Sequence, residues 1–306
     1  DRKCGSFQQS VHFAAQAIAT GVMDVVVASG VEMMSRIPMK TNRLGRDELG
    51  PMFAQEMPEG LISQGISAEL IASRWELSRG KLDAFSARSH QRAARARDSG
   101  YLSDAIVPVE VDGATVTADE GIRDTTTEEI LQTLRPAFER ADMLERFPQI
   151  DWRVTAGNSS QVTDGAAATL VVSEEALERY GLTPRGKIVG MSVVGDDPIM
   201  MLTGIIPATQ KVLQQTGIRL EDISVAEINE AFASVVLAWC EEYPMDEGLV
   251  NPWGGAIAYG HPVGASGGRL LANLLGFLEH SKGKYGLWSM CESGGMANAT
   301  ILESVR

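Results

Sequence analysis

The chain has 306 residues, a hydrophobic fraction of 44% and a formal net charge of −13. This length gives one large or two medium domains with ample chain for a buried core. No apolar run reaches the roughly 18 residues that a membrane helix needs, and the negative charge argues against nucleic-acid or anionic-membrane partners. Three cysteines, an odd number, do not make a secreted disulfide framework, so we expect a reducing, cytoplasmic setting with free thiols.

The first predicted elements are a loop of small residues, a helix and a strand. Helical spacing of apolar residues predicts a helix from Ser6 to Thr20 that ends near Gly21. The β-branched run at residues 24–30 predicts a buried strand that ends in a glycine turn. Because the sequence opens at Asp1 without a methionine, we expect a fragment or a processed chain.

Residues 36–153, approximately, are more polar than the regions that flank them, which predicts an insertion outside the main sheet. Helical patterns cover residues 66–75, 81–99 and 126–134, and residues 107–111 alternate like a strand. Residues 81–97 carry five positive charges and one negative charge, which we interpret as a solvated helix face.

After residue 155 the chain alternates between strands and helices, which predicts an α/β architecture. Strand patterns cover residues 169–173, 188–194, 225–228, 285–290 and 298–302, and helical patterns cover residues 207–216, 231–241 and 264–278. The sequence also contains a faint internal repeat. The order of loop, helix, strand and glycine in residues 4–30 is similar to that in residues 264–294, which predicts two similar halves with their loops in equivalent positions.

Two short segments carry candidate catalytic residues with an open alternative for each. Cys4 precedes a predicted helix start, where the helix dipole lowers a thiol pKa and favours the nucleophilic thiolate. The alternative is a buried, inert cysteine. Asn229 and Glu230 lie at a strand-to-helix turn, either as a cap and a first-turn acid or with the asparagine oriented towards a water or an oxyanion.

His261 lies in the most informative stretch, residues 254–268, where six of fifteen residues are glycine. A histidine in such a loop, directly before Pro262, is poorly explained by packing, which favours a catalytic base.

Cys291 ends a strand and opens a glycine turn, where α/β folds place active-site groups. Cys240 lies within a predicted helix and is interpreted as structural. Two cysteines and one histidine on separate loops argue against a metal site and predict acyl transfer through a thioester.

Four separated motifs occur in an order that resembles the thiolase family, the 3-ketoacyl-CoA thiolases and acetyl-CoA acetyltransferases. They are residues 1–9, residues 155–166, residues 229–232, and residues 260–262 with Cys291 beyond. The resemblance covers the whole chain. It implies an α/β, thiolase-like fold of two similar βαβαβαββ halves in five layers with an inserted loop domain. We therefore expect an incomplete N-terminal half at residues 1–182, with the loop domain at about 36–153, and a C-terminal half at residues 183–306.

The resemblance also implies roles for individual residues. Cys4 is then the acylated nucleophile, His261 accepts its proton and Cys291 is the second acid/base. Asn229 is similar to a family residue that holds a water beside the thioester oxygen. The backbone amides of Cys4 and Ser293 resemble a second oxyanion hole. Contacts to CoA are implied for three residues, which are Arg123, Phe138 and Ser160.

The implied reaction is thiolysis of a 3-ketoacyl-CoA by a ping-pong scheme, with CoA as co-substrate and with no metal or permanently bound cofactor. Residues 57–65 lack the histidine that biosynthetic members carry near this position, which favours a degradative thiolase, with bulky or ring-derived acyl chains as one substrate class. Family members are dimers or tetramers, so we expect a homodimer or homotetramer.

Two alternatives to a degradative thiolase stay open at this point. One is a condensing acetyl-CoA acetyltransferase or ketosynthase relative. Ketosynthases use a second catalytic histidine, whereas here His12 and His90 lie on predicted helices and His280 ends one, so no second catalytic histidine is offered. The second alternative is a non-catalytic acyl-CoA-binding relative. Covalent acylation would separate it from an enzyme, and carrier preference would separate the condensing relative.

Overall fold

The computed structural model describes residues 1–46 and 49–305. In this part of the chain the helices and strands, in order, are Ser6–Ala19 (α1), Val25–Met33 (β1), Gly50–Glu56 (α2), Gln64–Arg74 (α3), Arg79–Asp98 (α4), Val109–Val111 (β2), Ala114–Val116 (β3), Glu128–Gln132 (α5), Ala141–Arg146 (α6), Asp164–Val172 (β4), Glu174–Tyr180 (α7), Gly186–Gly195 (β5), Ile205–Thr216 (α8), Ile223–Ile228 (β6), Ala233–Glu242 (α9), Ala256–Tyr259 (α10), Ser266–Ser281 (α11), Tyr285–Glu292 (β7) and Met296–Ser304 (β8). The predicted alternation of helices and strands after residue 155 is confirmed, with ends shifted by a few residues.

Two sheets form the main body of the protein. The larger sheet has the strand order β5-β8-β7-β6, in which β6 and β7 are parallel and the other pairs are antiparallel. The smaller sheet consists of β1 and β4, which pair antiparallel from Val25–Val172 to Met33–Asp164. The short strands β2 and β3 form a separate hairpin within the polar region.

A pair of helices, α1 and α11, lies between the two sheets. Helix α1 packs on β1 and β4, and its Gln8 Nε2 donates to the Trp288 carbonyl (3.0 Å) and to the Thr300 hydroxyl (2.8 Å) of the larger sheet. Helix α11 contacts β4, β6 and β7. Alternate residues of β7 point to different cores, since Trp288 packs with the residues of α1 and α11 and Leu287 packs with those of α8. The described residues therefore stack as sheet, helix pair, sheet and helix.

The prediction of a buried strand at residues 24–30 is wrong in one respect. The strand forms and extends to Met33, but one of its faces is open, with Val27 exposed to 63% and Val31 to 67%, whereas Ala28 is buried. The reason is that α1 and α11 cover the two-stranded sheet from one side. A β-branched run fits a strand that is buried on one face as well as one that is buried on both.

Helices α3 and α4 of the polar region pack against α9, which in turn contacts α8 beside the larger sheet. The predicted helix at residues 126–134 is confirmed only over Glu128–Gln132. Within residues 1–46 and 49–305, no helix is both long and apolar enough to cross a membrane.

Candidate active site

Cys4 lies in a tight turn, Lys3–Gly5, that leads directly into α1. Lys3, immediately before the cysteine, has the left-handed backbone angle φ of 52°, which a side-chain-bearing residue adopts only when its surroundings hold it there. Ser6 contributes to this, because its hydroxyl accepts from the Arg2 amide (2.9 Å) and donates to the Lys3 carbonyl (2.8 Å). The turn buries the Cys4 side chain to an exposure of 4%.

The prediction that the helix start lowers the Cys4 pKa is wrong. Burial raises the pKa of the Cys4 thiol to about 12, and the nearby Glu292 carboxylate raises it further, whereas a hydrogen bond with the Gln64 side chain acts in the opposite direction. Desolvation and a neighbouring negative charge therefore outweigh the helix dipole, whose effect is confined to the first turn. The Cys4 thiol is therefore neutral at rest and would need a base in order to act as a nucleophile.

Cys291 lies at the end of β7 and is buried as deeply as Cys4. Burial raises the pKa of the Cys291 thiol well above its usual value, and Cys4 and then Glu292 raise it further. Cys4 is therefore near enough to Cys291 to oppose its ionisation. Because a negative charge on one thiol disfavours a negative charge on the other, we expect the two thiols to be ionised one at a time rather than together.

His261 is held as a neutral base by its neighbour Ser266. The Ser266 hydroxyl donates to the Pro262 carbonyl (2.8 Å), so its oxygen must accept the hydrogen of His261 Nδ1, at 2.5 Å. This tautomer leaves a lone pair on Nε2. Burial, and then the charge of Arg269, lower the pKa of His261 to about 3, so the imidazole is neutral before substrate arrives.

Asn229 faces His261 from the strand-to-helix turn after β6. Its Nδ2 lies 3.5 Å from His261 Nε2, and its Oδ1 is buried without a hydrogen-bond partner among the described residues. The capping alternative is wrong, because α9 begins three residues after Glu230 with Phe232 as its N-cap. Glu230 instead accepts from the Ser89 hydroxyl (2.7 Å) and holds the loop before His261 through the Ile257 amide (3.1 Å).

The segment at residues 155–161 joins the other two motifs. The Ser160 amide donates to the Ala231 carbonyl at 3.0 Å, next to Asn229 and Glu230. The His261 amide donates to the Gln161 carbonyl at 2.9 Å. Motifs that are 30 to 100 residues apart in the sequence are thus tied together by main-chain hydrogen bonds.

Three of the four predicted substrate-binding residues lie around this junction. The half-buried Ser160 belongs to it, and the exposed Arg123 reaches Gln161 Oε1 at 3.5 Å. The Phe138 ring meets Phe232 edge-on at 5.9 Å and fills the space left by Gly65, where a Cβ atom would overlap it. The fourth, Ser293, lies in the turn after Cys291 with its hydroxyl 3.9 Å from Met201 Sδ.

Sequence reasoning missed three residues beside the thiols. Gln64 and Glu292 act on Cys4 as described, and Glu32 also raises the Cys4 pKa while accepting from the Gly264 amide (2.9 Å) in the loop after His261. Glu292 had a signal, because it is an acid at the end of a strand that is otherwise apolar or small. Gln64 and Glu32 gave no such signal, since polar residues are ordinary in their segments.

Comparison with known proteins is consistent with this arrangement. The family model for the thiolase N-terminal domain matches residues 1–175, and that for the thiolase C-terminal domain matches residues 182–304. The chain is 43% identical to the steroid 3-ketoacyl-CoA thiolase of Mycobacterium tuberculosis, over 99% of this chain and 74% of the relative. It is 40% identical to an acetyl-CoA acetyltransferase of Shinella zoogloeoides, over 99% of this chain and 78% of the relative.

A solved structure of human mitochondrial 3-ketoacyl-CoA thiolase in complex with CoA is similar, with a TM-score of 0.86 and 36% identity over 99% of this chain and 77% of that one. A second solved structure of human mitochondrial 3-ketoacyl-CoA thiolase has a TM-score of 0.87. The predicted α/β thiolase-like fold is therefore confirmed, and the chain belongs to the thiolase family.

Proposed function

We propose that the protein is a degradative thiolase, an acyltransferase that uses CoA to cleave a 3-ketoacyl-CoA into acetyl-CoA and a shortened acyl-CoA. One observation carries the proposal, namely two buried, neutral thiols in one site, Cys4 and Cys291, with Cys4 near enough to raise the pKa of Cys291. The neutral His261, whose Nε2 carries a lone pair that can accept a proton, supplies the base that such thiols need. Similarity to relatives that are named 3-ketoacyl-CoA thiolases supports the same reaction.

In the first half-reaction Cys4 Sγ bonds to the 3-keto carbon while its proton passes to His261. The bond between the second and third acyl carbons then breaks, and its electron pair becomes the acetyl-CoA enolate, which takes the proton of Cys291. In the second half-reaction Cys291 takes the proton of the incoming CoA thiol. The CoA sulfur displaces Cys4 from the thioester, and His261 returns the first proton.

Raised thiol pKa values fit this scheme because Cys4 loses its proton only as its bond to the substrate forms, and the negative charge left on Cys291 after the first half-reaction is balanced by the protonated His261. The neutral His261 takes the proton of Cys4 at that moment, so no charge is stored in the buried site beforehand. Asn229 Oδ1, which is buried and unpaired, is suited to hold a water that donates to the thioester oxygen. The amides of Cys4 and Ser293 would stabilise the second oxyanion.

Binding of CoA is assigned to the rim of the site. Arg123 offers an exposed cation for the nucleotide phosphates, and Ser160 and Phe138 offer a hydroxyl and an aromatic face for the pantetheine arm. CoA would act as a co-substrate rather than as a permanently bound cofactor. A division into halves at residues 1–182 and 183–306, a homodimeric or homotetrameric assembly and a cytoplasmic location stay predictions of the same proposal.

The direct test is the intact mass of the protein after mixing with a short 3-ketoacyl-CoA in the absence of free CoA. We expect a mass increase equal to the shortened acyl group, because the thioester on Cys4 cannot be discharged without CoA. The increase should disappear in Cys4→Ala and persist in Cys240→Ala, which removes the half-buried cysteine of α9. Added CoA should then restore the original mass and release the acyl-CoA.

A folded protein by circular dichroism that gains no mass would contradict this function and favour a non-catalytic acyl-CoA-binding protein. Mass gain with acyl carrier protein but not with CoA as the second thiol would favour the condensing alternative.

A further inference from the structure

We propose that Glu292 is a positioning residue that fixes the Cys4 nucleophile relative to Cys291 through an ion pair with Arg2. The inference rests on the proposed function, because it adds a residue to that same site. Neither residue takes part in the proton transfers described above.

Glu292 bridges two parts of the site that are nearly 290 residues apart in sequence. Its side chain is completely buried, and its Oε2 lies 2.9 Å from Arg2 Nη2. The carboxyl group packs directly on Gly5, where a Cβ atom would overlap Oε1. Gly5, next to the nucleophile, therefore leaves the space that this carboxylate occupies.

The ion pair restrains a turn that does not hold its shape by chain preference alone. Lys3 has the left-handed φ of 52°, which surrounding contacts must maintain. Ser6 restrains the turn locally, whereas Arg2 attaches it to the end of β7, where Glu292 directly follows Cys291. Because Arg2 is two residues before Cys4, the pair sets the position of one thiol against the other.

Stability alone does not explain a carboxylate at this place. Glu292 raises the pKa of both Cys4 and Cys291, so its charge opposes ionisation of the two thiols. An apolar side chain would fill the same volume without this effect, and a buried ion pair frequently contributes no more stability than an apolar replacement. A charged contact with Arg2 is what an apolar residue cannot provide.

The experiment compares Glu292→Gln, Arg2→Met and the double variant in steady-state thiolysis. Each single variant should lower kcat by about 10-fold or more with KM changed less than about 2-fold, because a misplaced nucleophile slows the chemistry more than binding. The double variant should be no slower than the slower single variant, since both changes break one contact.

A charge effect and a positioning effect predict different patterns. Removing the Glu292 charge should lower the pH midpoint of Cys4 alkylation by iodoacetamide, whereas removing the Arg2 charge should raise that midpoint. Glu32, the other carboxylate that raises the Cys4 pKa, is present in both variants. If Glu292 acted on Cys4 only through its charge, kcat would therefore move in opposite directions in the two variants. Positioning predicts a decrease in both.

Glu279→Gln serves as the matched control, because it alters the Arg185–Glu279 ion pair (2.8 Å) at the far end of α11 and should leave kcat unchanged. Arg2→Lys should restore most of the activity lost in Arg2→Met. Should Glu292→Gln not fold, the Arg2 variants decide the matter, since the Arg2 side chain is 21% exposed. Wild-type kcat in both variants, or opposite changes, would overturn the inference, whereas wild-type protein that is not acylated would overturn the proposed function itself.

Discussion

Two helix-then-strand units of this protein follow one sequence pattern but have different surroundings. The first comprises the Cys4 turn, α1 and β1, and the last comprises the loop after His261, α11 and β7. Strand β7 is buried along nearly its whole length, because β6 and β8 flank it and helices cover both of its faces. Strand β1 has β4 as its partner and one open face. Similar apolar runs therefore specify strands but not how many layers cover them.

The loops that carry Cys4 and His261 are nevertheless similarly buried, with Cys4 exposed to 4% and His261 to 6%. The helix starts explain this, because they approach so closely that a Cβ atom at Gly267 would lie 3.0 Å from the Gln8 nitrogen. Burial of the site thus depends on the contact between α1 and α11 and not on how well each strand is covered.

The largest expected effect separates the roles of the two loops. In the proposed mechanism the first loop supplies the nucleophile and the last supplies its base, so His261→Ala should lower kcat/KM for thiolysis by about 10²–10⁴-fold. Alkylation of Cys4 by iodoacetamide at neutral pH should slow as well. His280→Ala, at the exposed far end of α11, should retain wild-type kinetics. Equal activity of the two variants would show that another group deprotonates Cys4.

The next effect concerns stability and compares the two strands directly. Trp288→Ala removes a fully buried side chain of β7 and should lower the free energy of unfolding by about 3–5 kcal/mol. Val27→Ala changes a residue of β1 that is 63% exposed and should cost less than about 0.5 kcal/mol. Urea denaturation of both variants gives the two values. A cost at Val27 near that at Trp288 would show that the open face is covered in solution.

The sequence predicted the parts of this protein that depend on local pattern. The strand and helix alternation after residue 155 and the choice of Cys4, His261 and Cys291 as candidates follow from spacing and residue type, whereas the four motifs came from the resemblance to the thiolase family. The Cys4 pKa did not follow, because it is set by burial and by Glu292 from the opposite end of the chain. The role of Glu230 was also hidden, since its partners Ser89 and Asn251 are distant in sequence.

The smallest expected effect tests the polar contact of α1 with the larger sheet. His12 is buried with its Nε2 2.7 Å from the Thr300 hydroxyl, and burial, followed by the charge of Arg2, lowers the pKa of His12 to about 4. The unfolded chain takes up this proton below its usual value of 6.5, whereas the folded chain does so only near 4. Stability from this group is therefore present above pH 6.5 and is lost as the pH falls to 4.

His12→Gln should remove that pH dependence. Between pH 7 and pH 4 the wild type should lose on the order of 2–3 kcal/mol relative to the variant, and other titrating groups cancel in the difference. Urea midpoints measured at half-unit pH steps give the two curves. Thr300→Val is the matched control, because it removes the hydroxyl but leaves the imidazole buried, so its curve should lie below that of the wild type and parallel to it. Parallel curves for His12→Gln and wild type would mean that the imidazole is hydrated in solution and that the contact between α1 and β8 is looser than the corresponding contacts of α11.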